Sequence, residues 1–297
     1  MRSGITWAEL IWPVGEVEFE KSYFGKRPLN LRRQPLPETG LETLDQWSAI
    51  LRGQTPVVRQ HRVMVTIDPK ADRESRLDPR LAAAIDAAGP LIVDKINLLN
   101  PKSRELALNI AKGLGSFVGV NAYISPHGKD ALDLHYDDHD VVVIQLAGTK
   151  QWILGTKLVR GVAGGRHFDK DAEALRERAK KEDKFRTIET VPGDFLYIPR
   201  GLFHRATSAA KYSIHLSFGI RRPTGLDFAE LLVQRLVHEV QAREYCPKLS
   251  PDDENAALRA YLDDLTERVA DLARAPEQRD AFVEAYRKRF DGRIDEV

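Results

Sequence analysis

Eight histidines are spread along the 297 residues, and two short segments containing them have the residue types and order of a metal site. His135 and Asp137 lie two apart in Leu134-His135-Tyr136-Asp137, which on a strand puts both side chains on one face. His204 follows 69 residues later, at the end of Gly193-Asp194-Phe195-Leu196-Tyr197-Ile198-Pro199-Arg200-Gly201-Leu202-Phe203-His204. Two imidazoles and one carboxylate on a rigid scaffold form the facial triad that binds iron(II) and leaves coordination positions open for reactants. Zinc can use the same ligand types, and geometry rather than raw affinity decides between the metals. An H-x-D tripeptide alone carries little, because such tripeptides arise often by chance. The weight comes from finding both segments, in this order, within a β-rich region.

Other reactive residues fit chemistry less well. His139 stands four after His135, which on a helix would suggest a zinc pair, but H-E-x-x-H is absent and the segment reads as strand. His139 is therefore placed outside the ligand set. His215, in Ser213-Ile214-His215-Leu216-Ser217, lies on a late strand and reads as a packed histidine, or one supporting the site from outside, rather than as a metal ligand. Cys246 precedes Pro247 and has no evident base, so a buried, inert thiol is expected. Gly164-Gly165-Arg166 lacks the Lys-Ser/Thr ending of a phosphate loop.

The elements that must position these residues are mostly strands. Short helices are expected at Glu16–Ser22, Leu41–Leu51 and Ser103–Leu114, with Gly113 and Gly115 closing the last. Leu29-Asn30-Leu31-Arg32 alternates as a short strand. From about residue 117 the pattern turns extended: Phe117–Ile124, then Val141–Leu146, almost continuously apolar and β-branched. Gly148-Thr149 reads as a turn, with Lys150–Leu154 returning as a hairpin partner. Thr187–Thr190, Phe195–Ile198 and Tyr212–Ile220 complete a set pointing to an antiparallel sandwich or barrel. A charged insert, Arg166–Arg186, reads as a solvated surface helix or as a lid. After Pro223 helices take over: a stripe of Phe228, Leu231, Leu232, Leu236 and Val240, a seam of Leu258, Leu262, Leu265, Val269 and Leu272, and a third helix marked by Phe282, Tyr286 and Phe290.

Composition bounds the function. Apolar residues at 42% and charged residues at 30% allow a sizeable core and exclude a low-complexity chain. Lys and Arg number 45 against 44 Asp and Glu, so no bulk electrostatic footprint for nucleic acid exists and none is expected as a partner. A single cysteine cannot form an internal disulfide, which favours a reducing compartment. The N-terminus lacks the apolar run of a signal peptide, and no stretch reaches the roughly eighteen apolar residues of a membrane span, so a cytoplasmic protein is expected.

Gly193, Pro199, Gly201 and His204 fit the second cupin motif except at its terminal Asn, where Ser208 stands. With His135-Tyr136-Asp137-Asp138-His139-Asp140-Val141, Gln145 through Trp152, and the upstream Tyr23-Phe24-Gly25-Lys26-Arg27-Pro28-Leu29, the sequence resembles the JmjC group of cupin-fold 2-oxoglutarate oxygenases, and within it the ribosomal oxygenase branch. The resemblance covers roughly residues 15 to 222. It implies a double-stranded β-helix core with an N-terminal extension over 1–222, and an α-helical region over 223–297 that makes a homodimer. It also implies iron(II) on His135, Asp137 and His204, 2-oxoglutarate as cosubstrate and O2 as oxidant. Lys150, fifteen positions after His135, takes the place of the basic residue holding the distal carboxylate of 2-oxoglutarate. Spacing alone would read it as a hairpin-turn lysine in water. Asn121 matches a cosubstrate-contacting asparagine of some relatives, and Tyr123 shares its strand face; both also read as polar groups of a barrel interior. The branch carries a further winged-helix domain, for which no room is expected before Val297. The implied activity is hydroxylation of a protein or peptide side chain. A free amino acid or natural-product intermediate is the alternative substrate, and a metal-containing cupin binding module the non-enzymatic alternative.

Overall fold

Residues 117–124 alternate between half-open and buried positions, and the strand they form seats the main sheet. The computed structural model describes residues 5–32, 39–43, 46–47, 57–60, 63–66, 90–128, 132–162, 172–248 and 255–292. The chain divides into two compact units, one ending at Arg221 and one over Arg222–Arg293.

The first unit opens with α1 (Trp7–Leu10), α2 (Glu16–Ser22) and β1 (Leu29–Leu31). It continues with β2 (Val57–Gln60), β3 (Val63–Thr66), β4 (Leu91–Val93) and α3 (Pro101–Leu114). There follow β5 (Phe117–Pro126), β6 (Asp140–Ala147), β7 (Lys150–Leu158), α4 (Ala172–Glu182) and β8 (Arg186–Thr190). Strands β9 (Phe195–Ile198), β10 (Leu202–Ser208) and β11 (Tyr212–Arg221) close the unit. Eight strands form one antiparallel sheet in the order β1-β9-β6-β11-β5-β4-β2-β3, and three form a second, β10-β7-β8. This two-sheet jelly roll with helices is the double-stranded β-helix core that the resemblance implies.

Between the sheets Val141, Val143, Leu196 and Ile198 pack against Trp152, Leu154 and Leu202. Each such aliphatic side chain contributes about 1.5–3 kcal/mol on burial. The opposite face of β5 buries Val118, Val120, Ala122 and Ile124, and α3 covers it with Leu106, Ala107 and Ile110. Asn100 caps α3 through Ser103 N–H at 2.7 Å, and Gly115, at φ +56°, ends it. Gly113 serves another purpose, since a Cβ there would collide with the Trp7 side chain.

One expected pairing is corrected. Strands β6 and β7 are not a hairpin: β6 pairs with β11 and β9, whereas β7 pairs with β10 and β8. The turn carries the chain from one sheet to the other. Gly148 sits at φ +63°, and a Cβ there would collide with the Tyr212 carbonyl, so the crossing needs glycine. Strands β2 to β4 and β10 extend the expected set. Helix α4 confirms helical structure in the charged insert, and its Leu175 and Ala179 pack against Tyr136, Val162 and Phe203. Most of Leu41–Leu51 and all of Gly164-Gly165-Arg166 lie outside the described residues.

The second unit contains α5 (Gly225–Leu236), α6 (Ala256–Arg274) and α7 (Pro276–Gly292). Phe228 and Phe282 meet edge to face at 5.4 Å. Helix α6 has no buried residue, and Leu262 is 46% exposed. Cys246 is exposed, against the expected buried thiol, because it lies in the connection between helices rather than in a core. Among the described residues no helix is long and apolar enough to cross a membrane.

Candidate active site

The H-x-D segment does not lie on a regular strand, contrary to expectation. His135 is on the approach to β6, where a single antiparallel bridge pairs it with His204 of β10. His135 N–H donates to the His204 carbonyl at 3.0 Å, and His204 N–H donates to the His135 carbonyl at 2.7 Å. Asp137 is anchored by its own carbonyl, which accepts from Gly201 N–H at 2.9 Å. The two segments singled out in the sequence are thus stitched together through their backbones.

The side chains converge. His204 Nε2 lies 3.4 Å from Asp137 Oδ2, and His135 Nε2 lies 3.8 Å from Asp137 Oδ1. One ligand atom from each of the three residues falls within 4.8 Å of the others, the single such group among the described residues. His135 Nδ1 faces the Asp133 carbonyl at 2.7 Å, and His204 Nδ1 faces the Leu202 carbonyl at 2.9 Å. A carbonyl only accepts, so each Nδ1 carries the proton and each Nε2 presents its lone pair inward. That is how metal-ligating imidazoles are oriented. With one carboxylate, the donor set fits iron(II).

Electrostatics keep His204 and Asp137 in forms able to bind a metal. Burial, reinforced by His135, lowers the His204 pKa to about 4. Burial alone would raise the Asp137 carboxyl, but His204, His135 and His139 outweigh it and hold the group below its ordinary value. His139 Nδ1 pairs with Asp138 Oδ1 at 2.8 Å, turning that nitrogen away from the trio.

A cavity opens beside the trio, bounded by β5, β11, β7 and β10. Lys150 is 1% exposed and lines it, so the reading of a hairpin lysine in water is corrected. Its Nζ donates to Ser125 Oγ at 2.8 Å and lies 3.4 Å from His215 Nδ1. Burial and the neighbouring ammonium push His215 well below its ordinary pKa, so the ring is neutral and accepts from Lys150. Tyr123 stacks on His215 at 4.8 Å, and Trp152 meets that ring edge-on at 5.4 Å. Asn121 also lines the cavity; its Oδ1 accepts from Lys95 N–H at 3.0 Å, so its amide NH2 is the end able to meet a ligand oxygen. Along the β7–β10 ladder Leu154 faces His204 and Lys150 faces Ser208, placing the lysine four residues from the His204 end.

All predicted site residues therefore border one cavity. Sequence reasoning missed Ser125, which orients the lysine, and read His215 as a packed or supporting histidine without its bond to Lys150. Only strand register brings both to Lys150, through Ser213 opposite Ser125 and His215 opposite Tyr123.

The fold is of the jelly-roll class, with a His-Asp-His cluster at one cavity, and residues 97–228 match the JmjC domain family. The chain resembles the ribosomal oxygenase branch of that class. It is 38% identical over 109 residues to ribosomal oxygenase 2 of Mus musculus, covering 35% of this chain and 21% of that protein. Ribosomal oxygenase 1 of Gallus gallus is 26% identical over 240 residues, covering 75% of this chain and 38% of that protein. The chain therefore spans well under half the length of these relatives. Among solved structures, Escherichia coli YcfD superposes with a TM-score of 0.58 at 20% identity, covering 91% of this chain and 69% of that one. YcfD has also been solved as a ribosomal oxygenase with cobalt and 2-oxoglutarate, with a TM-score of 0.56 at 20% identity, covering 95% and 70% of the two chains.

Proposed function

We propose that the chain is an iron(II)- and 2-oxoglutarate-dependent hydroxylase acting on a side chain of a protein or peptide. The observation carrying this reading is the convergence of His135, Asp137 and His204, with both imidazoles tied through Nδ1 to carbonyls, at one end of a cavity that holds buried Lys150. The names of its relatives, ribosomal oxygenases and a bifunctional lysine-specific demethylase and histidyl-hydroxylase, favour a protein substrate.

Iron bound to the trio would supply the oxidative chemistry, in which O2 and 2-oxoglutarate become CO2 and succinate while one oxygen atom is inserted into a substrate C–H bond. The chain's own part is binding, orientation and shielding. His135, Asp137 and His204 would hold the ion beside the cavity. Lys150 takes the distal carboxylate of 2-oxoglutarate, with Ser125 and neutral His215 fixing its ammonium. Asn121 NH2 and the Tyr123 hydroxyl, both lining the cavity, donate to cosubstrate oxygens on this reading. Trp152 keeps an apolar wall against the cavity and limits water.

We assign residues 1–222 to the oxygenase domain and 223–297 to a helical dimerisation region, and place the protein in the cytoplasm. O2-dependent conversion of 2-oxoglutarate to succinate by the iron-loaded protein tests the central assignment. An iron-loaded protein that yields no succinate, alone or with cell-extract peptides, would instead be a metal-containing binding module.

A further inference from the structure

The upstream Tyr23-Phe24-Gly25 run has no part in the function derived so far, yet it is bonded to the segment that carries the metal residues. Gly25 follows α2 at φ +65°, and its N–H donates to the Tyr197 hydroxyl at 2.6 Å. The same hydroxyl donates to Asp140 Oδ1. Asp140 is buried at the first position of β6, three residues after Asp137. Its Oδ1 also accepts from Arg200 N–H at 3.3 Å. Arg200 belongs to the turn Pro199–Leu202, closed by Leu202 N–H to the Pro199 carbonyl at 3.2 Å.

That turn touches the site at two further points. Gly201 N–H holds the Asp137 carbonyl, and the Leu202 carbonyl receives His204 Nδ1–H. One carboxylate oxygen therefore joins the chain leaving Asp137 to the turn that aims His204. Tyr197 fixes that oxygen from behind. The tyrosine is itself fully buried, with Phe19 edge-on at 4.9 Å and Phe24 stacked at 6.4 Å. Without the hydroxyl, Gly25 N–H and the buried Asp140 carboxylate both lose a partner.

We infer that Tyr197 and Asp140 are positioning residues for the metal site, coupling the N-terminal Tyr23-Phe24-Gly25 turn to the geometry of Asp137 and His204. The inference rests on the assignment of His135, Asp137 and His204 as metal ligands. Neither residue touches the ion; they act through the backbone of the two ligand segments. Loss of outer-shell partners of this kind typically weakens metal affinity by about 10- to 100-fold.

The test is an anaerobic cobalt(II) titration of the full chain, followed by visible absorption, with thermal unfolding of the metal-free proteins in parallel. Tyr197→Phe keeps the ring and its packing, and should weaken cobalt binding about 10-fold or more and alter the absorption envelope. Asp140→Asn retains an Oδ1 acceptor for both bonds and should bind within about 3-fold of wild type, whereas Asp140→Ala should match Tyr197→Phe. Wild-type cobalt affinity in Tyr197→Phe, whatever its melting temperature, overturns the positioning role and leaves the ligand assignment standing. Failure of the wild type itself to bind cobalt overturns the ligand assignment and this inference together.

Discussion

Removing one imidazole leaves two ligands, too few to hold the facial set. His204→Ala should therefore abolish iron(II) binding at micromolar metal, measured by anaerobic titration, while His139→Ala should retain it because His139 is turned toward Asp138. The reverse result would refute the ligand assignment. Lys150→Ala should weaken 2-oxoglutarate binding while leaving iron affinity nearly unchanged. A charge-assisted pair is worth about 1.5–3 kcal/mol, or roughly 10- to 150-fold. Lys150→Arg should be milder, since the charge survives in a longer, planar head. Equal cosubstrate curves for Lys150→Ala and wild type would remove Lys150 from the site. At this scale the grouping of His135, Asp137 and His204 was legible, because residue type and order are local properties of two short segments. The environment of Lys150 was not: its burial arises from Ser125 and His215, which lie 25 residues before and 65 residues after it and meet it only through strand register.

Among the elements, the C-terminal end of α4 is held to β7 largely through Asp183. Asp183, just past its end, accepts from Thr156 N–H and Oγ1–H and from Lys184 N–H at 2.7–3.2 Å. Its partial burial opposes ionisation, but these bonds prevail and hold the carboxyl below its ordinary value. A depressed folded value stabilises the protein above the unfolded carboxylate range and is lost as pH falls through it. Asp183→Ala should therefore cost about 1 kcal/mol at pH 7, after allowance for solvent screening. The gap to wild type should shrink toward pH 2, as read from urea midpoints. A gap independent of pH would show that the carboxylate charge contributes nothing. Strand identities from Phe117 onward, β10 excepted, were legible from alternation and β-branching. The partner of β7 was not, because a Gly-Thr turn looks alike whether the chain returns to its own sheet or leaves it. The Tyr212 carbonyl packed behind Gly148 is what settles the crossing, and it lies far away in sequence.

For the whole molecule, the helical unit leaves apolar side chains in view: Leu262 is 46% exposed, and Val233, Val237 and Val240 are 59–63% exposed. Faces of this kind usually meet a partner. Sedimentation equilibrium at tens of micromolar should give twice the 33.5 kDa chain mass, and a 33.5 kDa particle would refute the dimer. The spacing of Leu258, Leu262 and Leu265 made that seam visible in sequence, although spacing cannot say whether a neighbouring helix or a second copy covers it. Another molecular property follows from the β7–β10 ladder, in which His204 faces Leu154 and Ser208 faces Lys150 without interruption. Four strand steps span about 13 Å, so the ladder acts as a ruler graduated in units of two residues. A single-residue slip would turn Lys150 out of the barrel, and a two-residue slip would move it by about 7 Å. On the proposed role of Lys150, a register slip therefore cannot adjust the site gradually to a slightly longer or shorter cosubstrate.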